Sequence, residues 1–267
     1  MNNVIKKSNQ EKAAIFLCAS LASETKRQRR FANNFKDKSQ FHFVNSIDGR
    51  KWSELDVDGY CSAEMMQRRK SLRLKAESWL GPAAIACALT HRDRLLSRAE
   101  ENTLILCEDD IILNPDFIDL WCRDDIREQF QKFDGPVLFH YFSQGLITAS
   151  SPPVASFGKY SIYRLDQVHI LSSACYFVSK EVAYSIRQHQ TPIRSSADAW
   201  AEMKKHGVFK EIYVVHPSPC QIAGFATTLG YEGSLRSNNF FVILARRLNR
   251  LMHRRVKKLY ETVKIRS

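Results

Sequence analysis

Thr103-Leu104-Ile105-Leu106-Cys107-Glu108-Asp109-Asp110, followed by Ile111-Ile112-Leu113 and Asn114-Pro115-Asp116, is the stretch on which the fold turns. The apolar run up to Cys107 reads as a core strand, and three acids close it. Open α/β sheets hold their ligands beyond the carboxyl ends of the strands, where carboxylates stand on a rigid base. Strand side chains alternate, which sends Glu108 and Asp110 to one side and Asp109 to the other. The pair is the expected site, and Asp109 the expected structural residue. Hard carboxylate oxygens select Mg2+ or Mn2+, ions that keep coordination positions for water and substrate phosphates. A nucleotide diphosphate is therefore the expected ligand. The competing reading is a solvated acidic turn after a core strand.

Upstream, Lys12 to Cys18 reads as a first buried strand, and Ser23-Glu24-Thr25 as the capped start of a basic helix, Lys26-Arg27-Gln28-Arg29-Arg30-Phe31. Phe41 to Ile47 alternates and stops at Asp48-Gly49-Arg50, which gives a second strand and a turn. Residues 51–75 are polar and mixed in charge, and read as a surface excursion. Gly81-Pro82 opens a helix over 83–101, with Pro82 in the first turn. Downstream, an amphipathic helix is expected after Pro115, a strand over 136–142, and over 143–160 a Ser/Gly/Pro-rich loop able to move over a ligand. Strand material over 168–178, broken by Ser172-Ser173, precedes a short helix over 180–189. Ser195 to Trp200 reads as another helix entrance, where Ser or Asp can cap, and a last strand spans 208–215. Strands alternating with helices give an α/β fold.

The chain of 267 residues fits one large domain, or one with a small appendage. At 44% hydrophobic and 11% aromatic residues it buries a sizeable core and is not disordered. No window approaches the roughly twenty apolar residues of a membrane span. The polar amino terminus leads into a strand and does not read as a signal peptide. Seven cysteines, scattered singly without a C-x-x-C pair, read as reduced core thiols of a cytosolic protein. A net charge of +12 asks for an anionic partner: nucleic acid, an acidic membrane surface or a phosphorylated substrate. Without zinc-finger spacing, an aromatic RNA-binding signature or a recognition helix, charge alone does not argue for nucleic acid, and none is expected.

Much of that charge lies in residues 239–267. Phe241, Leu244, Leu248, Leu251, Met252, Val256, Leu259, Tyr260 and Val263 recur there at helical spacing, with arginines and lysines between them opposed only by Glu261. Such a basic amphipathic helix can lie on an anionic membrane surface or pack on its own domain.

The helix bearing Cys87-Ala88-Leu89-Thr90-His91, followed by Leu106-Cys107-Glu108-Asp109-Asp110, resembles glycosyltransferase family 25, the lipooligosaccharide galactosyl- and glucosyltransferases. The likeness runs from about residue 12 to about residue 225, and takes in Ser173 to Ser179, Ala197-Asp198, Val215-His216-Pro217 and Gln221. Ala86 for the usual Gly, Thr90 for Ser and Cys107 for Leu are mild departures. The resemblance implies a GT-A fold, a Rossmann-like nucleotide-diphospho-sugar transferase domain over 1–238 followed by the basic helix. It further implies a UDP-sugar donor, galactose most often and glucose next, and inversion at the anomeric carbon. The acceptor is then a lipid-linked core oligosaccharide of a bacterial lipopolysaccharide, met by a cytoplasmic enzyme at the anionic surface of the inner membrane.

Sugar transfer from a nucleoside diphosphate needs a cation on the leaving diphosphate and a base for the attacking hydroxyl. Asp110 is the expected ligand of Mn2+ or Mg2+, and Glu108 its companion, on metal water or the ribose. Asp198 is the expected base, with Asp166 or Glu202 in reserve; a simple N-cap is its alternative. His216 is a candidate further ligand, although a lone histidine is more often structural. His91 is expected to orient a donor group or to hold its helix to the sheet. Arg27, Arg29 and Arg30 follow the first strand, where a guanidinium can meet the diphosphate, and Asp48 can contact the nucleoside. Two other functions use the same features. A nucleotidyl- or phosphotransferase would share the carboxylates but needs a phosphate-cradling glycine loop, which is lacking. A basic nucleic-acid or membrane-binding module would rest on charge alone.

Overall fold

The structure is a computed structural model that describes residues 15–74, 80–142, 147–166, 170–224 and 264–266. The strands are β1 (Phe16–Ser20), β2 (Phe41–Asn45), β3 (Ile105–Glu108), β4 (Ile111–Leu113), β5 (Val137–Leu138), β6 (Thr148–Ser150), β7 (Ala155–Phe157), β8 (Tyr160–Arg164), β9 (Cys175–Phe177), β10 (Tyr213–His216), β11 (Cys220–Ile222) and β12 (Lys264–Arg266). The helices are α1 (Thr25–Ala32), α2 (Glu54–Asp58), α3 (Ala63–Leu74), α4 (Pro82–Thr90), α5 (Ser97–Ala99), α6 (Pro115–Trp121), α7 (Asp124–Phe130), α8 (Lys180–His189) and α9 (Trp200–Lys205).

Eight strands make one mixed sheet in the order β2-β1-β3-β9-β5-β10-β8-β7. β2 and β3 flank β1 in parallel. β9 runs antiparallel to both β3 and β5, and β10 is parallel to β5. So β2, β1, β3, β5 and β10 all point one way, and their carboxyl ends share one edge. Alternation along the strands fills both faces. Phe16, Cys18, Ile105, Cys107 and Phe177 pack with Phe31, Phe117 and Trp121 of α1 and α6, whereas Leu17, Ala19, Leu106, Tyr176 and Val214 pack with Leu95, Val182 and Trp200. That three-layer α/β/α core matches the expected class, and burial on both faces explains why the strands read as unbroken apolar runs. No helix among the described residues is long and apolar enough to cross a membrane.

Four expectations about local structure need correction. Residues 51–75 are not a mere excursion: α2 and α3 bury Val57, Cys61 and Met65 against Ile85 and Leu89 of α4. Polar composition hid this because the buried polar group, Arg69, is satisfied by Glu54, Asp58 and the Leu80 carbonyl. Half of residues 147–160 are strand rather than loop, since β6 pairs with β12 and β7 pairs with β8. The helix expected over 83–101 is real but changes pitch, with a π-helical turn over His91–Leu96 between α4 and α5. Neither α1 nor α9 carries a side-chain cap. The helix expected over 239–267 lies outside the described residues except for Lys264–Arg266, which form β12.

Candidate active site

Everything chemical gathers at the shared carboxyl edge. β1 ends at Ser20 and β3 at Glu108, and the turn after β3 sends Asp109 inward. Ser20 Oγ donates to Asp109 Oδ2 at 2.5 Å, and Arg27 Nε lies 2.8 Å from Oδ1. Asp109 is thus the buried tie between β1, α1 and the acidic turn; strand alternation does not extend to it, because β3 ends at Glu108 and one guanidinium takes both Asp109 and Asp110. Burial pushes its carboxyl up, against the pull of Ser20 and Arg27.

Arg27 also reaches Asp110, with Nη2 2.9 Å from Oδ2. Of the three arginines expected near a diphosphate, Arg27 is instead committed to two acids of the chain itself. Its helix stripe, Arg27 and Phe31, faces the sheet and leaves Arg29 and Arg30 exposed. Asp110 Oδ1 is buried without a hydrogen-bond partner among the described residues. Burial, then the charge of Glu108, pushes the Asp110 carboxyl up to about 6 despite Arg27.

Glu108 accepts a hydrogen bond from Ser173 Oγ at 2.9 Å, and its Oε1 lies 3.4 Å from His91 Nε2. Burial alone would raise its pKa, but His91, Ser173 and Arg27 outweigh it and hold the carboxyl below its ordinary value. His91 is buried at the start of the π-helical turn, its Nδ1 2.9 Å from the Tyr176 hydroxyl. π-Turns of this kind recur at functional sites.

The opposite wall of the cleft comes from the turn after β2. Asp48 caps residues 49–51 and pairs with Arg50 at 2.7 Å, an interaction that lowers its pKa. Arg50 reaches across to Glu24 Oε1 at 3.3 Å and Ser23 Oγ at 3.2 Å. Asp48, Arg50, Glu24, Arg27, Cys87, His91, Glu108 and Asp109 all line one cleft with Ser20 and Ala83. Gly49 lets this turn touch the first turn of α4: a Cβ there would sit 2.6 Å from Ala86 Cβ and 2.6 Å from the Pro82 carbonyl oxygen.

Asp198 lies in the turn before α9, beside Ala197, which packs against the cluster that includes Ile85 and Ala88. The Cys87 thiol is pushed well above its ordinary value, first by burial and then by the charges of Glu108, Asp198 and Asp110. One thiol on α4 therefore feels all three carboxylates. The two reserve bases are engaged elsewhere, Asp166 with Ser150 at 2.5 Å and Glu202 with Arg68 at 2.9 Å. His216 ends β10 with its Nδ1 3.3 Å from the Tyr141 hydroxyl, and burial lowers its pKa. Among the described residues it does not join Glu108 and Asp110 in a cluster tight enough for one ion.

Several site residues escaped the sequence reading. Arg50 sits in a turn whose Asp-Gly needs no function, and Tyr176 looked like plain strand. The signal that could have found Ser172 and Ser173 was their interruption of an apolar run. Ser172 holds φ at 108°, a conformation rare outside glycine, while its carbonyl accepts from Trp200 Nε1 at 2.9 Å and its Oγ lies 2.7 Å from His140 Nδ1. Strained backbone of this kind concentrates at functional sites. It fixes Ser173 under Glu108.

The family model described as glycosyltransferase family 25 (LPS biosynthesis protein) matches residues 13–200. No curated protein matches the chain.

Proposed function

The chain belongs to glycosyltransferase family 25 and is a glycosyltransferase; on that premise we propose that it transfers a hexose, galactose first and glucose second, from a UDP-sugar to a lipopolysaccharide core acceptor with inversion. The observation that carries the reading is the cleft at the carboxyl edge of β1 and β3, lined by Arg27, Asp48, Arg50, His91, Glu108 and Asp109, where α/β sheets bind nucleotides.

The acidic turn fits a divalent cation: Asp110 Oδ1 is a buried oxygen without a hydrogen-bond partner among the described residues, and the Glu108 carboxyl is held below its ordinary pKa. Mn2+ or Mg2+ on Asp110 and Glu108 would neutralise the leaving diphosphate. Arg27 holds Asp109 and Asp110 in place and balances their charge. Asp48 and Arg50 line the cleft where the nucleoside would lie, and Ser173 and His91 fix the Glu108 carboxylate. Asp198 takes the proton of the attacking hydroxyl, which bonds to the anomeric carbon from the face opposite the diphosphate. The basic residues of 239–267 would bring the enzyme to an anionic membrane surface, where its lipid-borne acceptor resides.

A panel of nucleotide sugars, offered with a lipooligosaccharide acceptor and Mn2+, Mg2+ or chelator, tests the reading. One UDP-hexose should be transferred, or slowly hydrolysed, only with the cation present. Full activity in chelator would remove the metal, and inertness toward every nucleotide sugar would remove the donor class.

A further inference from the structure

Cys87, His91 and Glu108 offer a sulfur, a nitrogen and an oxygen that all lie within 4.8 Å of one another, a grouping separate from the Asp110 carboxylate. The residues come from two elements that the fold presses together. Cys87 and His91 are four apart, on one face of the helix as it passes from α4 into the π-turn, and Glu108 ends β3 opposite them. His91 is 3% exposed, and its Nε2 is buried with no hydrogen-bond partner among the described residues, although Glu108 Oε1 is 3.4 Å away. A buried ring nitrogen in that state costs free energy unless something accepts its lone pair or its proton.

We propose that these three side chains form a site for a thiophilic divalent cation, Zn2+ or its analogue Co2+, at the floor of the cleft. Zinc–ligand bonds of about 2.0–2.3 Å in tetrahedral geometry place ligand atoms roughly 3.3–3.8 Å apart, a range that contains the His91–Glu108 separation. Both partners are already oriented from behind. His91 Nδ1 lies 2.9 Å from Tyr176 Oη, a hydroxyl that can accept the Nδ1 proton and so leave the Nε2 lone pair for an ion, and Ser173 Oγ steadies Glu108 Oε1 at 2.9 Å. Thiolate and imidazole select a softer ion than the one Asp110 would take. Binding converts the neutral Cys87 thiol to a thiolate, and its proton leaves to solvent. The three side chains all line the cleft, so the fourth coordination position opens toward it. A Zn2+ held by Glu108 competes with the Asp110 cation for that carboxylate and so weakens donor binding; this consequence rests on the transferase reading, whereas the site itself does not.

The test is a Co2+ titration of the reduced, metal-free protein, followed by its near-ultraviolet thiolate-to-cobalt absorption. One equivalent should saturate the band, Zn2+ should bleach it and Mn2+ should not. Cys87→Ser should abolish the band, whereas Cys122→Ser and Asp110→Ala should retain it. Tyr176→Phe keeps every ligand and should weaken Co2+ about tenfold, which a Cys87 role in packing alone would not produce. Absence of the band from the wild-type protein, or its persistence in Cys87→Ser, would overturn the site. Zn2+ bound with this signature but without inhibition would leave the site standing and count against the placement of the donor.

Discussion

Arg27 Nη2 lies 2.9 Å from Asp110 Oδ2, so the carboxylate best suited to hold a cation is already neutralised by a cation of the chain itself. The same guanidinium holds Asp109 at 2.8 Å, and all three side chains are largely buried. Arg27 is thus the counter-charge that lets two neighbouring acids exist at the end of β3.

Removing that counter-charge should be costly. Arg27→Met leaves two buried carboxylates without their partner and should destabilise the fold by about 3 kcal/mol. Adding Asp110→Asn should recover part of the loss. Thermal and chemical melts of the two variants check it; a loss below about 0.5 kcal/mol, the scale of an ordinary surface substitution, would mean that Arg27 is not the group balancing these acids.

The pH dependence of stability follows from Asp110, whose pKa is raised from 3.8 to about 6 by burial and then by Glu108. A folded carboxyl that holds its proton more tightly than the unfolded one opposes folding once ionised. The penalty is absent below about pH 4, grows between about pH 4 and 6, and is complete above that range. Asp110→Asn removes it. In chelator, the Asn variant should therefore gain on the order of 1–3 kcal/mol relative to wild type between about pH 4 and 7. Denaturant titrations across that range read the gain, and a pH-independent difference would contradict it.

Gly49→Ala tests the contact between the cleft turn and α4. The added methyl meets Ala86 Cβ and the Pro82 carbonyl oxygen at 2.6 Å, two atoms that cannot swing aside. The variant should lose roughly 1–3 kcal/mol by overpacking, along with donor affinity. Unchanged melting would show that the turn has room to move.

Deleting residues 239–267 should release the protein from anionic vesicles while leaving neutral vesicles unbound in either form. Flotation at low and high salt reads this directly. Retained binding by the shortened chain would move the membrane contact elsewhere.

The parts of this site legible in the sequence were those governed by period and composition. Continuous apolar runs located β1, β3 and β9 because both faces of the sheet are covered, whereas alternation did not reach the turn that brings Asp109 and Asp110 to one guanidinium. What stayed hidden depends on partners distant in sequence. Arg69 made α3 look solvent-exposed because its two acids lie in another helix, and Arg27 looked like a phosphate ligand because Asp109 and Asp110 reach it only through folding. Ser172 carried a visible signal, the break in an apolar run, but its strained φ and its hold on His140 and Trp200 arise from tertiary packing. The family match covers residues 13–200 and so reaches Asp198 but not His216. Among the described residues that histidine does not join Glu108 and Asp110 in a cluster tight enough for one ion.

The division of labour in the cleft is tested most directly by measuring donor binding and sugar transfer side by side in Asp198→Asn, with Asp110→Ala as the contrast. Asp198→Asn should bind the UDP-sugar as wild type does while transfer falls about 10²–10⁴-fold, and Asp110→Ala should lose cation-dependent donor binding itself. Wild-type turnover by Asp198→Asn would contradict the account, because the base would then lie elsewhere.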